Sequence, residues 1–179
     1  MPFIKTTEIV NNRIADAGTH VSDAAVERYG LKLYPPGTIL MAMYGQGKTR
    51  GQVSILEIAA ATTQNAAALQ PSDRVAPDFL WQYLRSQYER LRGAGAEGHI
   101  SHLNLGYVRG FMIPLASLPE QTEIASQLDI VDSLQSSAVA RASLLADLFR
   151  TLLHQLMTAQ MRIDDLDLSA QRIEDAVLA

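Results

Sequence analysis

The sequence predicts an α+β (mixed α/β) domain followed by a long C-terminal coiled-coil helix. Three observations carry that expectation. Short apolar runs bounded by Gly and Pro fill the first two thirds of the chain. An amphipathic segment opens at Pro77, and a stretch free of Gly and Pro runs from Glu120 to the end with apolar residues at alternating spacings of four and three. The 179 residues are 47% hydrophobic and 19% charged, a composition that supports one packed domain with an extension and lies away from that of disordered chains. The expected divisions are a domain over 1–117, a long helix over 118–162 and an acidic tail over 163–179.

From Pro2 to Tyr34 the chain reads as short strands and turns without a sustained period, with turn-prone pairs at Asn11-Asn12 and Ala17-Gly18. Tyr34-Pro35-Pro36-Gly37 is a turn, and the nearly all-apolar Thr38–Met43 after it suits a strand buried on both faces. A glycine-rich loop, Gly45-Gln46-Gly47-Lys48-Thr49-Arg50-Gly51, leads to a second strand over Val53–Ile58, with a third expected around Thr62-Thr63. Pro77 opens a helix that places Phe79, Leu80, Tyr83, Leu84, Tyr88 and Leu91 on one face and stops at Gly93-Ala94-Gly95. Residues 97–109 read as a loop, and Tyr107–Pro114 as a return to strand.

In the last segment Ile124, Leu128, Val131, Gln135, Ala138, Ala142, Leu145, Phe149, Leu152 and Leu156 form a heptad seam with one polar member. It describes a single helix ~60 Å long at 1.5 Å per residue. Such a seam exceeds what a domain roughly 30 Å across can cover, so a partner helix is expected, from a second copy or from another protein. The alternative is a bent helix wrapped around its own domain. Gln135, Ala138 and Ala142 leave the centre of the seam thin, which weakens pairing and helps set its register.

The formal net charge of −4 conceals an asymmetry. Met1–Leu115 carries three Lys and eight Arg against four Asp and five Glu, a balance of +2, and the remainder has four Arg against seven Asp and three Glu, a balance of −6. Charge of this kind speaks to partners rather than to fold. The chain has no cysteine, so a disulfide framework and a thiolate metal site are excluded and a cytoplasmic setting is expected. No window approaches the ~20 consecutive apolar residues of a membrane span, and the opening residues lack the layout of a signal peptide.

Ala42–Thr49 fits a relaxed phosphate-binding-loop pattern after a buried strand. That mechanism needs a helix to begin at Lys48-Thr49, so that its amides face the phosphates, whereas Arg50-Gly51 and strand formers follow. The loop reads better as a cationic hairpin tip: Lys48 and Arg50 suit phosphate oxygens, and Gln46, Thr49 and Gln52 suit sugar, phosphate or base edges. An ordinary glycine turn with solvated charges is the alternative. His99, His102 and Asn104 are too few for a metal site and suit a polar loop that touches DNA or caps its neighbours. No nucleophile elbow, zinc-protease helix, amino-methyltransferase loop or nuclease acidic cluster is present. No catalytic chemistry, cofactor or metal is expected.

Several stretches in order carry a resemblance: PFIKTTEI near the start, PPGTILMAMYGQGKTRGQ, the Phe79–Leu84 helix, Asn104-Leu105, IPLASLPEQTEIA at the entry to the long helix, and LFRTLLHQLMTAQMRI at its end. Together they resemble one half of a type I restriction-modification specificity subunit, HsdS. Members of that family have two target-recognition domains, each followed by a long helix. The helices pair antiparallel as a spacer, and methyltransferase subunits clasp them. The resemblance implies a non-catalytic, sequence-specific reader of double-stranded DNA that directs modification and restriction subunits to a split site. This sequence holds one target-recognition domain and one helix, which implies a half-subunit that dimerises through the helix and reads a palindromic split site. Family recognition domains carry a further opening strand and Gly-rich turn before the PFIK-like segment, so the resemblance implies a domain over 1–117 that starts later than the family pattern.

The expected DNA contacts are drawn from Lys48, Thr49, Arg50, Gln52, Arg85, Arg92, His99, His102 and Asn104. The expected dimer or partner seam comprises Ile124, Leu128, Val131, Leu145, Phe149, Leu152 and Leu156. Two other function classes stand beside this one. The chain could be a coiled-coil interaction module without DNA binding of its own, or a nucleotide-binding protein using 42–49.

Overall fold

The computed structural model describes residues 1–45, 48–94 and 102–163. The chain divides into two units, Met1–Asp129 and Ile130–Ala179.

The first unit is built on a four-stranded sheet ordered β2 (Arg13–Ile14), β4 (Val53–Leu56), β3 (Ile39–Ala42) and β6 (Ala66–Leu69). Strand β3 runs antiparallel to β4 and β6, and β2 runs parallel to β4. A second, two-stranded parallel pair joins β1 (Phe3–Ile4) to β5 (Ala61–Thr62). All four residues of β3 are buried. Their alternation explains the unbroken apolar run: Ile39 and Met41 enter one core cluster and Leu40 and Ala42 the other. The first cluster gathers Val53 and Ile55 from β4, and Leu80, Trp81, Leu84 and Leu91 from the helices that cover this face. The second holds Ile4, Ile9, Ile14, Leu56 and Ala60.

The expected hairpin, third strand and Pro77 helix are present, with three differences. The Pro77 helix is two helices, α2 (Pro77–Ser86) and α3 (Tyr88–Gly93). They part at Gln87, whose backbone (φ −94°, ψ 12°) leaves the helical region while its N–H donates to the carbonyls of both Tyr83 and Leu84. A short helix, α1 (Asp23–Tyr29), lies within the region expected to hold only strands and turns. Ser22 caps it by accepting from Ala25 N–H, and Gly30 ends it with φ 59°. It buries no side chain and so leaves no apolar stripe in the sequence. The expected strand over Tyr107–Pro114 is instead a one-turn helix, α4 (Leu105–Arg109), followed by irregular chain. Asn104 starts it by accepting from Gly106 N–H at 2.7 Å, and Tyr107, Val108 and Phe111 then pack on the first cluster at helical spacing.

The last helix, α5, spans Leu118–Met157. Its opening stretch to Asp129 belongs to the first unit and is tied there by two polar anchors. The first is Gln121, whose side chain is fully buried. Its Oε1 accepts from Ala76 N–H at 2.9 Å, and its Nε2 donates to the carbonyls of Arg74 (3.1 Å) and Ala116 (2.8 Å). The carboxamide thus satisfies three backbone groups at the N-terminal approach to α2 and the entry to α5. The second is Arg13, whose Nη2 donates to both carboxylate oxygens of Asp129 at 2.8 and 2.7 Å while Nη1 donates to Asp78 at 2.7 Å. Burial works to lower the pKa of this guanidinium; the hydrogen bonds and charges of Asp129 and Asp78 outweigh it and hold it above its ordinary value. The same guanidinium lies 4.7 Å from the centre of the Trp81 ring.

The second unit begins at Ile130, where α5 continues to Met157. Here Val131, Leu145 and Phe149 of the heptad seam are exposed, and Leu152 and Leu156 are half-buried. Leu134 and Leu148 on one flank of the seam, and Val139 and Leu153 on the other, are also exposed, so the bare apolar face is wider than a two-stranded seam.

Truncating Gln121 removes the side-chain partner of three part-buried backbone groups, Ala76 N–H and the carbonyls of Arg74 and Ala116. Gln121→Ala is expected to lower the unfolding free energy by about 3 kcal/mol in urea denaturation. Gln121→Glu is expected to cost more, because it turns an oxygen toward two carbonyl oxygens. A loss below about 1 kcal/mol for both variants would show that the carboxamide is not an anchor.

Candidate nucleic-acid interface

Three segments distant in sequence converge on the hairpin that joins β3 to β4. The hairpin tip leaves β3 through Met43, Tyr44 and Gly45 and returns through Lys48, Thr49, Arg50 and Gly51. Gly45 takes φ 144°, and a Cβ there would sit 2.8 Å from the Thr49 Cβ, so the position accepts no side chain. No helix begins at Lys48-Thr49: the chain turns, Gln52 N–H donates to Thr49 O, and β4 follows. Among the described residues, the helix N-terminus that a phosphate-binding loop requires is therefore missing, and the nucleotide reading loses that structural basis.

The second segment is α3, against which the returning arm of the hairpin rests. Gly51, with φ 84°, brings the two backbones so close that a Cβ would lie 3.0 Å from Arg92 N. Arg50 Nη2 donates to Arg92 O at 3.0 Å, and Arg50 Nε is buried and meets no hydrogen-bond partner among the described residues. Tyr88 donates its hydroxyl to Lys48 O at 2.6 Å and accepts from Arg92 Nη1 at 3.0 Å. The third segment is 102–104. Leu103 N–H donates to Met43 O, and His102 bridges Tyr44 in a short antiparallel pair with their rings stacked at 5.0 Å and 10°. Tyr44 remains 44% exposed, so the stack is open to solvent.

The structure thus brings together Lys48, Thr49, Arg50, Gln52, Arg92, His102 and Asn104. Lys48 is exposed, Arg50 and Arg92 are half-buried and partly engaged with the backbone and Tyr88, and Asn104 Oδ1 is taken by the cap of α4. Arg85 is engaged elsewhere: it lies 4.7 Å from the Trp81 ring centre and donates to Gln82 Oε1 at 2.9 Å, close to the Asp129 anchor to which Gln82 also donates. His99 and Gln46 lie outside the described residues, as do residues 164–179 of the expected acidic tail.

Two residues of this surface escaped the sequence reading. Tyr88 was assigned to the apolar face of a helix by its spacing, yet its hydroxyl is polar-bonded to the hairpin. Tyr44 lies between two segments that only the tertiary fold brings together, and its one sequence signal is an aromatic residue at the mouth of a basic glycine loop. Among the described residues, no group of three or more His, Asp or Glu is placed to hold a metal ion, and no helix is long and apolar enough to cross a membrane.

The fold and this surface define a small α+β domain that presents a pinned cationic hairpin and carries a long helix with a bare apolar face. The chain belongs to the type I restriction modification DNA specificity domain family, whose family model matches residues 1–141. Two solved structures share the fold. One comes from a study of complex assembly and conformational transition of the type I R-M system: it is 20% identical, with a TM-score of 0.65, over 93% of this chain and 39% of the other. The second is the HsdS subunit from Thermoanaerobacter tengcongensis, 21% identical with a TM-score of 0.52 over 87% of this chain and 36% of the other. This chain therefore spans under two fifths to about two fifths of the length of the solved chains it matches.

Proposed function

We propose that this chain is a specificity subunit, or half-subunit, of a type I restriction-modification system. It recognises a sequence in double-stranded DNA and directs methyltransferase and restriction subunits to a split site, without catalytic activity of its own, in the cytoplasm. The observation that carries this reading is the pinned hairpin tip, a cationic element lying inside the segment that matches the family. Lys48, with its exposed ammonium, is assigned to phosphate. Thr49, Gln52, His102 and Asn104 supply hydrogen-bonding groups beside it for base edges or sugar, and the charges of Arg50 and Arg92 add to the local field. Arg85 contributes charge from the neighbouring helix, with its position set by Trp81 and Gln82.

The helix is assigned to protein partners, and a second copy of the chain is the first of these. In an antiparallel pairing Ile124 meets Leu156, Leu128 meets Leu152, Val131 meets Phe149, Gln135 meets Leu145, and Ala138 meets Ala142. Large residues then pack at both ends and small ones at the two-fold axis, a self-complementary arrangement suited to an isologous dimer. The exposed flanks at Leu134, Leu148, Val139 and Leu153 offer further apolar surface to the modification subunits.

Lys48→Ala is expected to weaken binding to every duplex by a similar factor and to lower the slope of log affinity against log salt by about one, measured by fluorescence anisotropy. An unchanged slope would remove Lys48 from the phosphate contacts. A wild-type chain with no affinity for any duplex at low salt would favour an interaction module over a DNA reader. Leu145→Asp is expected to give a monomer in sedimentation equilibrium, and an unchanged mass would show that the seam does not join two copies.

A further inference from the structure

The DNA-reading role proposed above rests on the glycine-rich loop that joins the two central strands, β3 and β4, of the four-stranded sheet. Glycine in such a sequence raises the entropy lost when a single conformation is held. A base-reading tip nevertheless has to be fixed in advance, since each group ordered only on binding subtracts from affinity.

From the arrangement around α3 we infer that Tyr88 is a positioning residue for DNA recognition, acting through Lys48. Its hydroxyl donates at 2.6 Å to the carbonyl of Lys48 and accepts at 3.0 Å from Arg92 Nη1, so the guanidinium polarises the O–H toward the acceptor. Arg92 also lies 5.9 Å from the centre of the Tyr88 ring, which fixes the orientation of the phenol. Two independent features of the same junction hold the hairpin on α3: the Arg50 Nη2 bond to Arg92 O, and the side-chain-free approach of Gly51 to the Arg92 backbone. Of these connections, only the Tyr88 hydroxyl grips Lys48 itself. It does so through the backbone carbonyl and leaves the ammonium exposed. The Tyr88 ring lies against the Arg92 guanidinium, and the hydroxyl alone reaches the hairpin. A phenylalanine would keep the ring beside Arg92 and lack the grip.

The test uses the full chain with Tyr88→Phe, Lys48→Ala and the double variant. The bond grips the carbonyl of the peptide that trypsin cuts after Lys48, so native-state cleavage there reads the clamp directly. Tyr88→Phe is expected to speed it by about 3- to 10-fold while the midpoint of global unfolding stays in place; an unchanged cleavage rate overturns the inference. In duplex binding, Tyr88→Phe is expected to lower affinity about 3- to 10-fold in the wild-type background and to have no further effect when Lys48 is already alanine. An equal loss in both backgrounds would show that Tyr88 does not act through Lys48. If the wild-type chain binds no duplex, the DNA reading fails and the positioning role fails with it; the cleavage rate then reports the clamp alone.

Discussion

The buried carboxamide of Gln121 is the interaction on which the rest of the first unit depends. It stands at a crossing of three chain segments: the turn that enters α2, the irregular chain before α5, and α5 itself. The first two present the Ala76 N–H and the carbonyls of Arg74 and Ala116, and one amide held by α5, with its acceptor and two donors, meets all three. An apolar residue of the same volume would pack there but answer none of them. The Arg13 network repeats the principle with charge, joining β2, α2 and α5 through Asp78 and Asp129 and laying its guanidinium near Trp81. Half-exposed ion pairs add little stability on their own. Here Nη2 meets both oxygens of Asp129 while Nη1 meets Asp78, so a single guanidinium ties together residues on three elements.

The hairpin side of the unit is held by the same kind of bond, a side chain reaching a backbone group. Arg50 reaches Arg92 O, Tyr88 reaches Lys48 O, and Asn104 reaches Gly106 N–H. Several of the polar residues that sequence reading places in a DNA-contact pool are thereby divided. Lys48 keeps its charge outward, whereas Arg50, Arg85, Arg92 and Asn104 each spend part of their hydrogen-bonding capacity on holding the surface in shape. The charge division of the chain gains a physical meaning from this: the basic part includes Lys48, Arg50 and Arg92 at the hairpin, and the acidic part includes Asp129, which anchors the helix.

The apolar pattern made β3, β4, α2 and α5 legible: the first three bury their apolar residues, and α5 carries a continuous apolar stripe that leaves the same mark although most of it is exposed. The antiparallel β3–β4 hairpin and the 40-residue helix follow from that pattern alone. Helices α1 and α4 do not, since they are one or two turns long and are specified by their capping residues, Ser22 with Gly30 and Asn104. The anchors were illegible for another reason. Arg13 and Asp129 are 116 residues apart, and Gln121 reads locally as one polar residue in the first turn of a helix. At the candidate interface the hairpin was visible in its glycines and cations. The stack of Tyr44 on His102 and the grip of Tyr88 were not, because both join segments that only the fold brings together.

The central claim is that one such domain reads one half of a split site and that two copies read two inverted halves. Selection of bound duplexes from a random pool, with the modification subunits present, tests it most directly. The account predicts an enriched pair of inverted repeats separated by a spacer of constant length and indifferent sequence. Enrichment of one contiguous motif, of two unrelated half-sites, or of nothing would contradict it.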